Sequence, residues 1–371
     1  MLTVYKQAGY TSSDAVARLR GILRMRKIGH TGTLDPDAEG VLPMCLGNAT
    51  RICELIADRE KEYLAVMRLG LLTDTQDMSG EILRKVPEEK IPEILLDPDS
   101  GRDIRRSDSL PGSEIAAPGD TVSSGKVVSE EDEEKIRDRI CREAAAFIGE
   151  IEQIPPMYSA IKVNGRRLYD MARKGITVER KPRQITIHSL VIEKIELPFV
   201  TMRVRCSKGT YIRTLCEDLG NALGTGAAMQ SLLRTRVGQF TLQEARTLDE
   251  LERIAKTEPD KLLPLIRPVD SFFADLPAAA CTEDALRLLK NGNVLTTEDF
   301  RFLAGEEDPQ RQCRSGQDFD ISSLPGINPG EELIRMYSPD KSFYGLYRNK
   351  GGARGCSHYS AYKMFLPEQN K

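Results

Sequence analysis

The chain has 371 residues, of which 40% are hydrophobic, 29% charged and 6% aromatic, as in ordinary globular proteins. This length predicts two domains, or one large domain with an appendage. It contains no apolar run of about 18 residues, and its first residues, MLTVYKQAGYTSSD, have neither a basic leader nor an apolar core, so we expect no membrane span, no signal peptide and a cytoplasmic protein. Eight scattered cysteines without a CxxC pair and only three histidines predict reduced thiols, with no metal site and no disulfide framework.

The formal net charge of −3 hides an uneven distribution of charge along the chain. Residues 87–134 contain fourteen acidic and five basic residues, a net charge of −9, so the rest of the chain carries +6. The segment has no aromatic residue and is rich in proline, glycine and serine, which leaves little apolar surface to offset the entropy of ordering it. We therefore predict a disordered or loosely held insertion, which is either a solvated loop without a specific role or an acidic regulator of a basic groove.

Hydrophobic periodicity predicts alternating strands and helices. The first strand is LTVYK, and Ser12 or Ser13 caps a helix that runs to about Arg26. Asn48 caps a second helix, and KEYLAVMRLG (61–70) alternates as a half-buried strand. The later elements, in chain order, are a helix at 134–148, strands at PPMYSAIKV, QITIHSLVIE and FVTMRVRCS, a helix at 211–223, and a helix with a proline-bounded linker at 247–271.

The strands alternate between apolar and polar residues rather than being continuously apolar. This pattern favours a mixed α+β (α/β) fold, with a mainly antiparallel sheet flanked by helices, over a doubly wound parallel sheet. Beyond about Phe272, a short helix at 283–290 and a strand pair around ELIRMYSPDKSFYGLYR predict a small, mainly β C-terminal domain.

The stretch GHTGTLDPDAEG (29–40) is the strongest local signal for a functional site. Its glycines let a backbone fold closely around a ligand, and it contains His30 and Asp35. Asp35 is either a catalytic carboxylate or a residue that only caps a turn. The pattern GxxxxGK[ST] is absent, so the loop is not predicted to bind a nucleoside triphosphate.

Other candidate residues lie on neighbouring elements. Tyr63, on the strand after this loop, is either a core aromatic or a platform on which a base stacks. The run CSKGTYIRTL places Lys208, Tyr211 and Arg213 at a strand–helix junction, where binding groups are common. An arginine brought near a lone aspartate would keep that carboxylate ionised.

Basic residues are concentrated between positions 162 and 183. The segment contains eight basic residues and only two acidic ones, Asp170 and Glu179. Such a cluster suits phosphate groups, although a solvated helix face would carry several basic residues as well. The eight basic residues are Lys162, Arg166, Arg167, Arg173, Lys174, Arg180, Lys181 and Arg183.

Together these motifs resemble the bacterial-type tRNA pseudouridine-55 synthase family. GHTGTLDPDAEGVLP is similar to the signature loop of that family, and four further blocks follow its order. They are VYKQAGYTSSDAVARLR, EKEYLAVMRLGLLTDTQDMSG, PPMYSAIKVNGRRLYDMARKG, and SKGTYIRTL with LLRTRVGQF. The resemblance covers roughly residues 1–86 and 135–250, and the tail resembles more weakly the small RNA-binding PUA-type domain appended in this family.

The resemblance implies an enzyme that isomerises uridine 55 in the T-loop of tRNA without a cofactor or a metal. It implies a catalytic domain at 1–272, interrupted by the insertion, a PUA-like domain at 273–371, and a monomer that binds the T-arm of tRNA. Two further departures from the family pattern are Gln7, where proline is usual, and Leu233, where a second arginine is common.

The resemblance also implies a role for each matched residue. Asp35 would be the catalytic residue, and the substrate would be bound by His30, Tyr63, Tyr211, Arg213 and Leu232. Among these, His30 would help to displace the nucleotide, Tyr63 would stack on the flipped uracil, and Arg213 would pair with Asp35. The RNA backbone would be contacted by Lys162, Arg166, Arg167, Arg173 and Lys174.

Three questions stay open at the level of sequence. The carboxylate could attack the sugar carbon, or it could remove the 2′ proton to give a glycal intermediate. A tRNA-binding and folding protein in which catalysis is secondary or lost would need the same basic residues. A pseudouridine synthase for another RNA stem-loop is a further alternative.

Overall fold

The computed structural model describes residues 1–97, 129–159, 161–163, 165–176, 178–313, 327, 331–351 and 357–366. The chain divides into two compact units, of which unit 1 comprises residues 1–36, 41–58 and 240–371, and unit 2 comprises residues 37–40 and 59–239. Among the described helices, none combines the length and the apolar character that crossing a membrane requires.

The helices and strands follow in chain order. The helices are Ser12–Leu23 (α1), Cys53–Ala57 (α2), Ile91–Leu96 (α3), Glu130–Ala145 (α4), Leu168–Ala172 (α5), Ile212–Leu223 (α6), Leu248–Thr257 (α7) and Leu286–Lys290 (α8). The strands of the first half are Leu2–Lys6 (β1), Ile28–His30 (β2), Glu39–Leu46 (β3), Lys61–Leu69 (β4), Leu71–Thr73 (β5), Ile82–Lys85 (β6), Gly149–Gln153 (β7), Lys162–Val163 (β8) and Arg166–Arg167 (β9). The remaining strands are Arg183–Glu196 (β10), Phe199–Cys206 (β11), Ala227–Val237 (β12), Phe240–Thr241 (β13), Arg246–Thr247 (β14), Ala278–Cys281 (β15), Leu295–Thr296 (β16), Phe300–Leu303 (β17), Leu333–Tyr337 (β18), Phe343–Asn349 (β19) and His358–Met364 (β20).

Unit 2 is built on an antiparallel sheet in which the strands follow the order β12-β4-β11-β10-β7. Its strand β4 alternates strictly between buried and half-buried residues, as the sequence KEYLAVMRL predicts for a strand with one face in the core. Helix α6 packs against β12 and buries Leu215, Leu219 and Leu223. The mixed α+β fold with a mainly antiparallel sheet is thereby confirmed for this unit.

In unit 1, helix α1 packs on β1 and α7 around a core that includes Leu2, Val4, Leu19 and Leu248. The sequence places its cap at Ser12 or Ser13, but Thr11 is the N-cap, and its side chain and that of Asp14 form a reciprocal capping box. The reason is that the Ser12 hydroxyl accepts a hydrogen bond from the backbone N–H of Leu34, at 2.9 Å, and is therefore used elsewhere.

The predicted end of one helix in this unit and the predicted start of another are wrong. Helix α1 ends at Leu23 rather than near Arg26, because Arg24 adopts the left-handed conformation with φ of 50°. The predicted helix from Asn48 begins as the 3-10 helix Gly47–Ile52, which has no side-chain cap, and becomes α-helical only at Cys53.

The C-terminal part of unit 1 forms a six-stranded sheet of order β16-β20-β19-β18-β15-β17. The strand pair predicted from ELIRMYSPDKSFYGLYR is confirmed as β18 and β19. Arg335 of β18 is fully buried, and its guanidinium donates to the carboxylate of Asp308 at 2.9 Å and to the hydroxyl of Tyr337 at 3.0 Å. The Tyr337 hydroxyl donates in turn to Asp270, so a polar network fastens the sheet to the preceding linker.

Both ends of the acidic segment are helical, where the sequence predicts disorder. Helix α3 buries Ile91, Ile94 and Leu95, and α4 begins at an N-cap formed by Ser129. Arg139 of α4 is buried and donates to the backbone carbonyls of Ile94, Leu95 and Leu223. Residues 98–128 lie outside the described residues, and the disorder predicted for them stays a prediction.

The two compact units do not follow the predicted boundary at residue 272. Strand β14 pairs in parallel with β1, and α7 packs on α1, so residues 246–257 join the N-terminal segments in unit 1. The assignment of a catalytic domain and a PUA-like domain to 1–272 and 273–371 stays a prediction.

The buried ion pair of the C-terminal sheet predicts a large effect on stability. Replacing Arg335 by Met leaves the Asp308 carboxylate, 1% exposed, without this guanidinium, and we expect the free energy of unfolding to fall by about 3–5 kcal/mol. Arg301→Met removes the pair of Arg301 with Glu307, whose side chains are 61% and 49% exposed, and should cost less than about 1 kcal/mol. Urea unfolding followed by circular dichroism measures the free energy of unfolding of both variants. Equal decreases would contradict a stabilising role of the buried network.

Candidate active site

The loop 29–40 ends in a backbone contact that only glycine allows. Gly40 lies opposite Arg234 where β3 begins to pair with β12, and its φ is +109°. A Cβ at this position would lie 2.2 Å from the carbonyl oxygen of Arg234, closer than any side chain permits. The glycine therefore fixes the C-terminal end of the loop against β12.

The side chain of Arg234 makes a second contact, with Tyr63. The two residues are cross-strand neighbours in β12 and β4, and the fully buried guanidinium of Arg234 donates a hydrogen bond to the Tyr63 hydroxyl. Burial lowers the pKa of Arg234, and the tyrosine opposes that shift. Tyr63 is 9% exposed, as is Leu232 on the same sheet, so the ring of Tyr63 is held by its hydroxyl as well as by packing.

Asp35 lies in the part of the same loop that belongs to unit 1, between two anchored neighbours. Leu34 exchanges hydrogen bonds with the Ser12 hydroxyl, which links the loop to the first turn of α1. The carbonyl of Pro36 accepts hydrogen bonds from the buried Lys6 ammonium at 2.9 Å and from the backbone N–H of Gly9 at 3.0 Å. Asp35 itself is half-buried, so a partly accessible carboxylate sits on a backbone fixed on both sides.

Arg213 is a buried cation of unit 2 with three hydrogen-bond acceptors. It lies in the first turn of α6 and is 5% exposed. Its guanidinium donates to Asp77 at 3.1 Å, to the carbonyl of Thr75 at 3.2 Å and to that of Tyr158 at 3.0 Å. The pairing of Arg213 with Asp35 stays a prediction.

Asp77 is a residue that the sequence reasoning missed. Its carboxylate also accepts hydrogen bonds from the hydroxyls of Thr75 and Ser79, both at 2.6 Å. These two local hydrogen bonds orient the carboxylate that faces Arg213. The turn TDTQDMSG contains two aspartates, and nothing in the sequence indicated which of the two carboxylates faces the arginine. Lys6 and Arg234 were missed for the same reason, because each acts through a partner distant in sequence.

Tyr211 is positioned through its backbone. It is the N-cap of α6, and the side-chain amide of the buried Gln153 accepts from its N–H at 2.8 Å and donates to its carbonyl at 3.0 Å. The end of β7 and the start of α6 are thereby joined by a two-bond clamp.

His30 ends β2 and lines an open depression of about 690 Å³ within unit 1. Its Nδ1 accepts a long hydrogen bond, 3.4 Å, from the N–H of Gly32. Three cationic side chains line the depression with it, namely Arg20, Arg26 and Lys27. The surroundings of His30 are therefore basic, as a site that meets phosphate groups requires.

The predicted RNA-backbone residues lie in unit 2. The backbones of Lys162 and Arg167 pair in the β8–β9 hairpin, with Arg166 exposed beside them. Arg173 and Lys174 follow α5 and are exposed, and the Arg173 guanidinium lies 5.6 Å from the ring centre of Tyr169. Such exposure fits phosphate binding and equally a solvated face, so their role stays a prediction.

Comparisons with known proteins decide the family. The chain matches the model of the TruB family pseudouridylate synthase N-terminal domain at residues 20–97 and 116–212. It matches the model of the tRNA pseudouridylate synthase B C-terminal domain at residues 213–274. The chain belongs to the TruB family. The predicted family and the predicted enzyme class, a pseudouridine synthase, are thus confirmed.

Relatives with the name tRNA pseudouridine synthase B match most of this TruB-family chain. The protein of Lachnoclostridium phytofermentans is 42% identical, over 99% of both chains. That of Clostridium kluyveri is 38% identical, over 81% of this chain and 86% of its own length. Among solved structures, a Cbf5–Nop10–Gar1 complex matches with a TM-score of 0.57 and 24% identity, over 99% of this chain and 84% of that one. This last likeness concerns the fold, and it supports the α+β class.

The candidate residues fall within the ranges matched by the two TruB-family models. His30, Asp35, Tyr63 and Tyr211 lie in the N-terminal match, while Arg213 and Leu232 lie in the C-terminal one. The role of each single residue stays a prediction.

A first test concerns the contact at Gly40. We expect Gly40→Ala to lose most activity, because its Cβ would meet the Arg234 carbonyl. Its free energy of unfolding should fall by more than about 1–2 kcal/mol, which is the cost of a left-handed backbone at a residue with a side chain. Gly149→Ala is the matched control, since Gly149 has a φ of +111° but nothing within 4 Å of its Cβ position. Turnover and urea unfolding of both variants are measured, and equal effects would show that strain alone, not the contact, matters at Gly40.

A second test concerns Asp77. Asp77→Asn keeps the shape but removes the charge that faces buried Arg213, and we expect kcat to fall more than about tenfold, which corresponds to about 1.4 kcal/mol in the barrier. Asp74→Asn is the control, because Asp74 is exposed in the same connection and accepts from the N–H of Glu81. If the two variants turned over equally fast, Asp77 would have no part in the site.

Proposed function

We propose that this chain converts uridine 55 in the T-loop of tRNA to pseudouridine, with Asp35 as the catalytic carboxylate. The observation that carries the proposal is the placement of Asp35, half-buried between Leu34 and Pro36, whose backbones are both anchored. The names of the relatives support tRNA as the substrate.

The chemistry requires a fixed carboxylate rather than a redox group. The bond between ribose C1′ and uracil N1 breaks, the ring turns, and C1′ bonds to C5, whose hydrogen is lost as a proton while N1 gains one. Substrate and product are isomers, so no electron acceptor is consumed. Asp35 either attacks C1′ or removes the 2′ proton, and in both cases its geometry determines the rate.

The uracil must be held while it is detached from the sugar. We assign stacking on the base to Tyr63, whose ring is held through the hydrogen bond to Arg234. Leu232 and Tyr211 would line the uridine pocket, and Arg213 would keep the Asp35 carboxylate ionised. His30 would enter the RNA loop and help to displace the nucleotide, which costs a few kcal/mol.

The RNA backbone would follow the cations of the 162–174 region, of which Arg166, Arg173 and Lys174 are exposed. Lys162, Arg166, Arg167, Arg173 and Lys174 would neutralise phosphates, and binding would then weaken as the salt concentration rises. The remaining parts of the proposal are a PUA-like role for 273–371, a monomeric state and a cytoplasmic location. The insertion would act as an acidic regulator of the basic groove.

Two other functions are outcomes of the same test. A tRNA-folding protein would bind tRNA without isomerising it, and a synthase for another stem-loop would leave uridine 55 unchanged. The acidic insertion favours neither.

The test uses tRNA transcripts that carry 5-tritiated uridine, because bonding at C5 must expel that hydrogen. We expect wild type to release the label from uridine 55 and Asp35→Asn to release none while still binding tRNA. Asp37→Asn is the matched control, since Asp37 is an exposed carboxylate in the same loop and should keep its activity.

Each alternative result excludes one part of the proposal. Binding without release by wild type would leave the RNA-folding function. Release from a transcript in which uridine 55 is replaced by cytidine would show another target site. Release by Asp35→Asn would remove Asp35 as the catalyst.

A further inference from the structure

Two cysteines of unit 1 meet beside His30. Cys45 lies in β3, is fully buried, and pairs with Gly29 of β2. Cys53 is the first residue of α2, is half-buried, and lines the same basic depression as Gly29 and His30. The sequence places these cysteines eight positions apart, in different elements, and gives no sign that their sulfurs meet.

The missing side chain of Gly29 makes room for the Cys53 sulfur. A Cβ built on Gly29 would lie 3.2 Å from the Sγ of Cys53. Residues that are opposite each other in an antiparallel pair project to the same face, with Cβ atoms about 4.5–5.5 Å apart. The Cys53 sulfur therefore lies on the face to which Cys45 projects, and the two thiols are within hydrogen-bonding reach.

The hydrogen bond makes the two thiols unequal. The S–H of Cys45 donates to the sulfur of Cys53, which lowers the pKa of Cys53, while burial and the nearby Glu54 act against this shift. The same bond and burial raise the pKa of Cys45. The more accessible sulfur therefore ionises more readily than the buried one, and the thiolate is the reactive form of cysteine.

We propose that Cys53 and Cys45 form an oxidisable dithiol, in which Cys53 reacts with a peroxide and Cys45 closes a disulfide between β3 and the start of α2. The Cys53 thiolate attacks one peroxide oxygen, the O–O bond breaks, and hydroxide departs as the leaving group. The product on Cys53 is a sulfenic acid. The Cys45 sulfur then attacks the Cys53 sulfur, the S–O bond breaks, and water leaves with the proton of Cys45. Two electrons pass to the peroxide, which is reduced to two molecules of water.

This disulfide would act on the strand that carries His30. Strand β2 lies beside Cys45 in the sheet and beneath the sulfur of Cys53, and His30 follows Gly29 directly. A covalent bond across Gly29 fastens the 3-10 helix Gly47–Ile52 and α2 to the β2–β3 pair. Oxidation would therefore restrict the edge of the depression that His30 occupies.

The experiment oxidises the reduced full chain with hydrogen peroxide in the absence of RNA and identifies the linked peptides by mass spectrometry after alkylation. We expect a Cys45–Cys53 disulfide that dithiothreitol reverses. In Cys45→Ser, the sulfenic acid of Cys53 should accumulate and be trapped by dimedone. In Cys53→Ser, Cys45 should stay a thiol.

A pair of glycine variants tests the geometry without touching either sulfur. Gly29→Ala places a methyl group 3.2 Å from the Cys53 sulfur, and we expect disulfide formation to slow about tenfold, in keeping with the cost of overpacking. Gly21→Ala is the control, because nothing lies within 4 Å of its Cβ position, and it should react as wild type does.

Three results would overturn the proposal. They are a wild-type disulfide to another cysteine, such as the exposed Cys141 or Cys313, a stable sulfenic acid on Cys53 in wild type, and equal rates for the two glycine variants. Because the assay contains no RNA and measures no turnover, a failure of the proposed tRNA activity would not affect its outcome.

Discussion

The approach of Gly40 to the Arg234 carbonyl is the constraint on which the site depends. It requires a residue without a side chain, and it forces the start of β3 into register with β12. On its other side β12 pairs with β4, where Arg234 lies opposite Tyr63 and its buried guanidinium donates to the tyrosine hydroxyl. Arg234 therefore meets the end of the loop 29–40 through its backbone and holds the proposed stacking residue through its side chain.

The loop was predictable from sequence, whereas its anchors were not. The glycines, Asp35 and the family resemblance identified 29–40 because these features are local and specific. Lys6, Ser12 and Asp77 act on residues distant in sequence, and a single sequence does not record such pairs. Ser12 illustrates the consequence, because its use by Leu34 moves the helix cap to Thr11, although either serine is a good cap by residue type alone.

The acidic segment shows how an average over composition misleads. Acidic residues, proline, glycine and serine dominate it, yet Ile91, Ile94 and Leu95 share one face of α3 and are buried together. Ile136 and Ile140 of α4 are likewise buried, and Arg139 donates hydrogen bonds to the backbone carbonyls at the end of α3. A few apolar residues at helical spacing are sufficient to order the ends of a segment whose overall charge predicts disorder.

Buried cations fix the directions of the groups around the candidate site. Lys6, Arg213 and Arg234 are each almost fully buried, and each donates to backbone carbonyls, a carboxylate or a hydroxyl. Desolvation makes such groups costly, and apolar replacements of the same size are often neutral or stabilising in other proteins. Their value lies in direction, since a guanidinium with three fixed acceptors, as in Arg213, tolerates only one arrangement of the elements that supply them. A reaction in which a detached base must turn and rejoin the same sugar needs that single arrangement more than it needs additional stability.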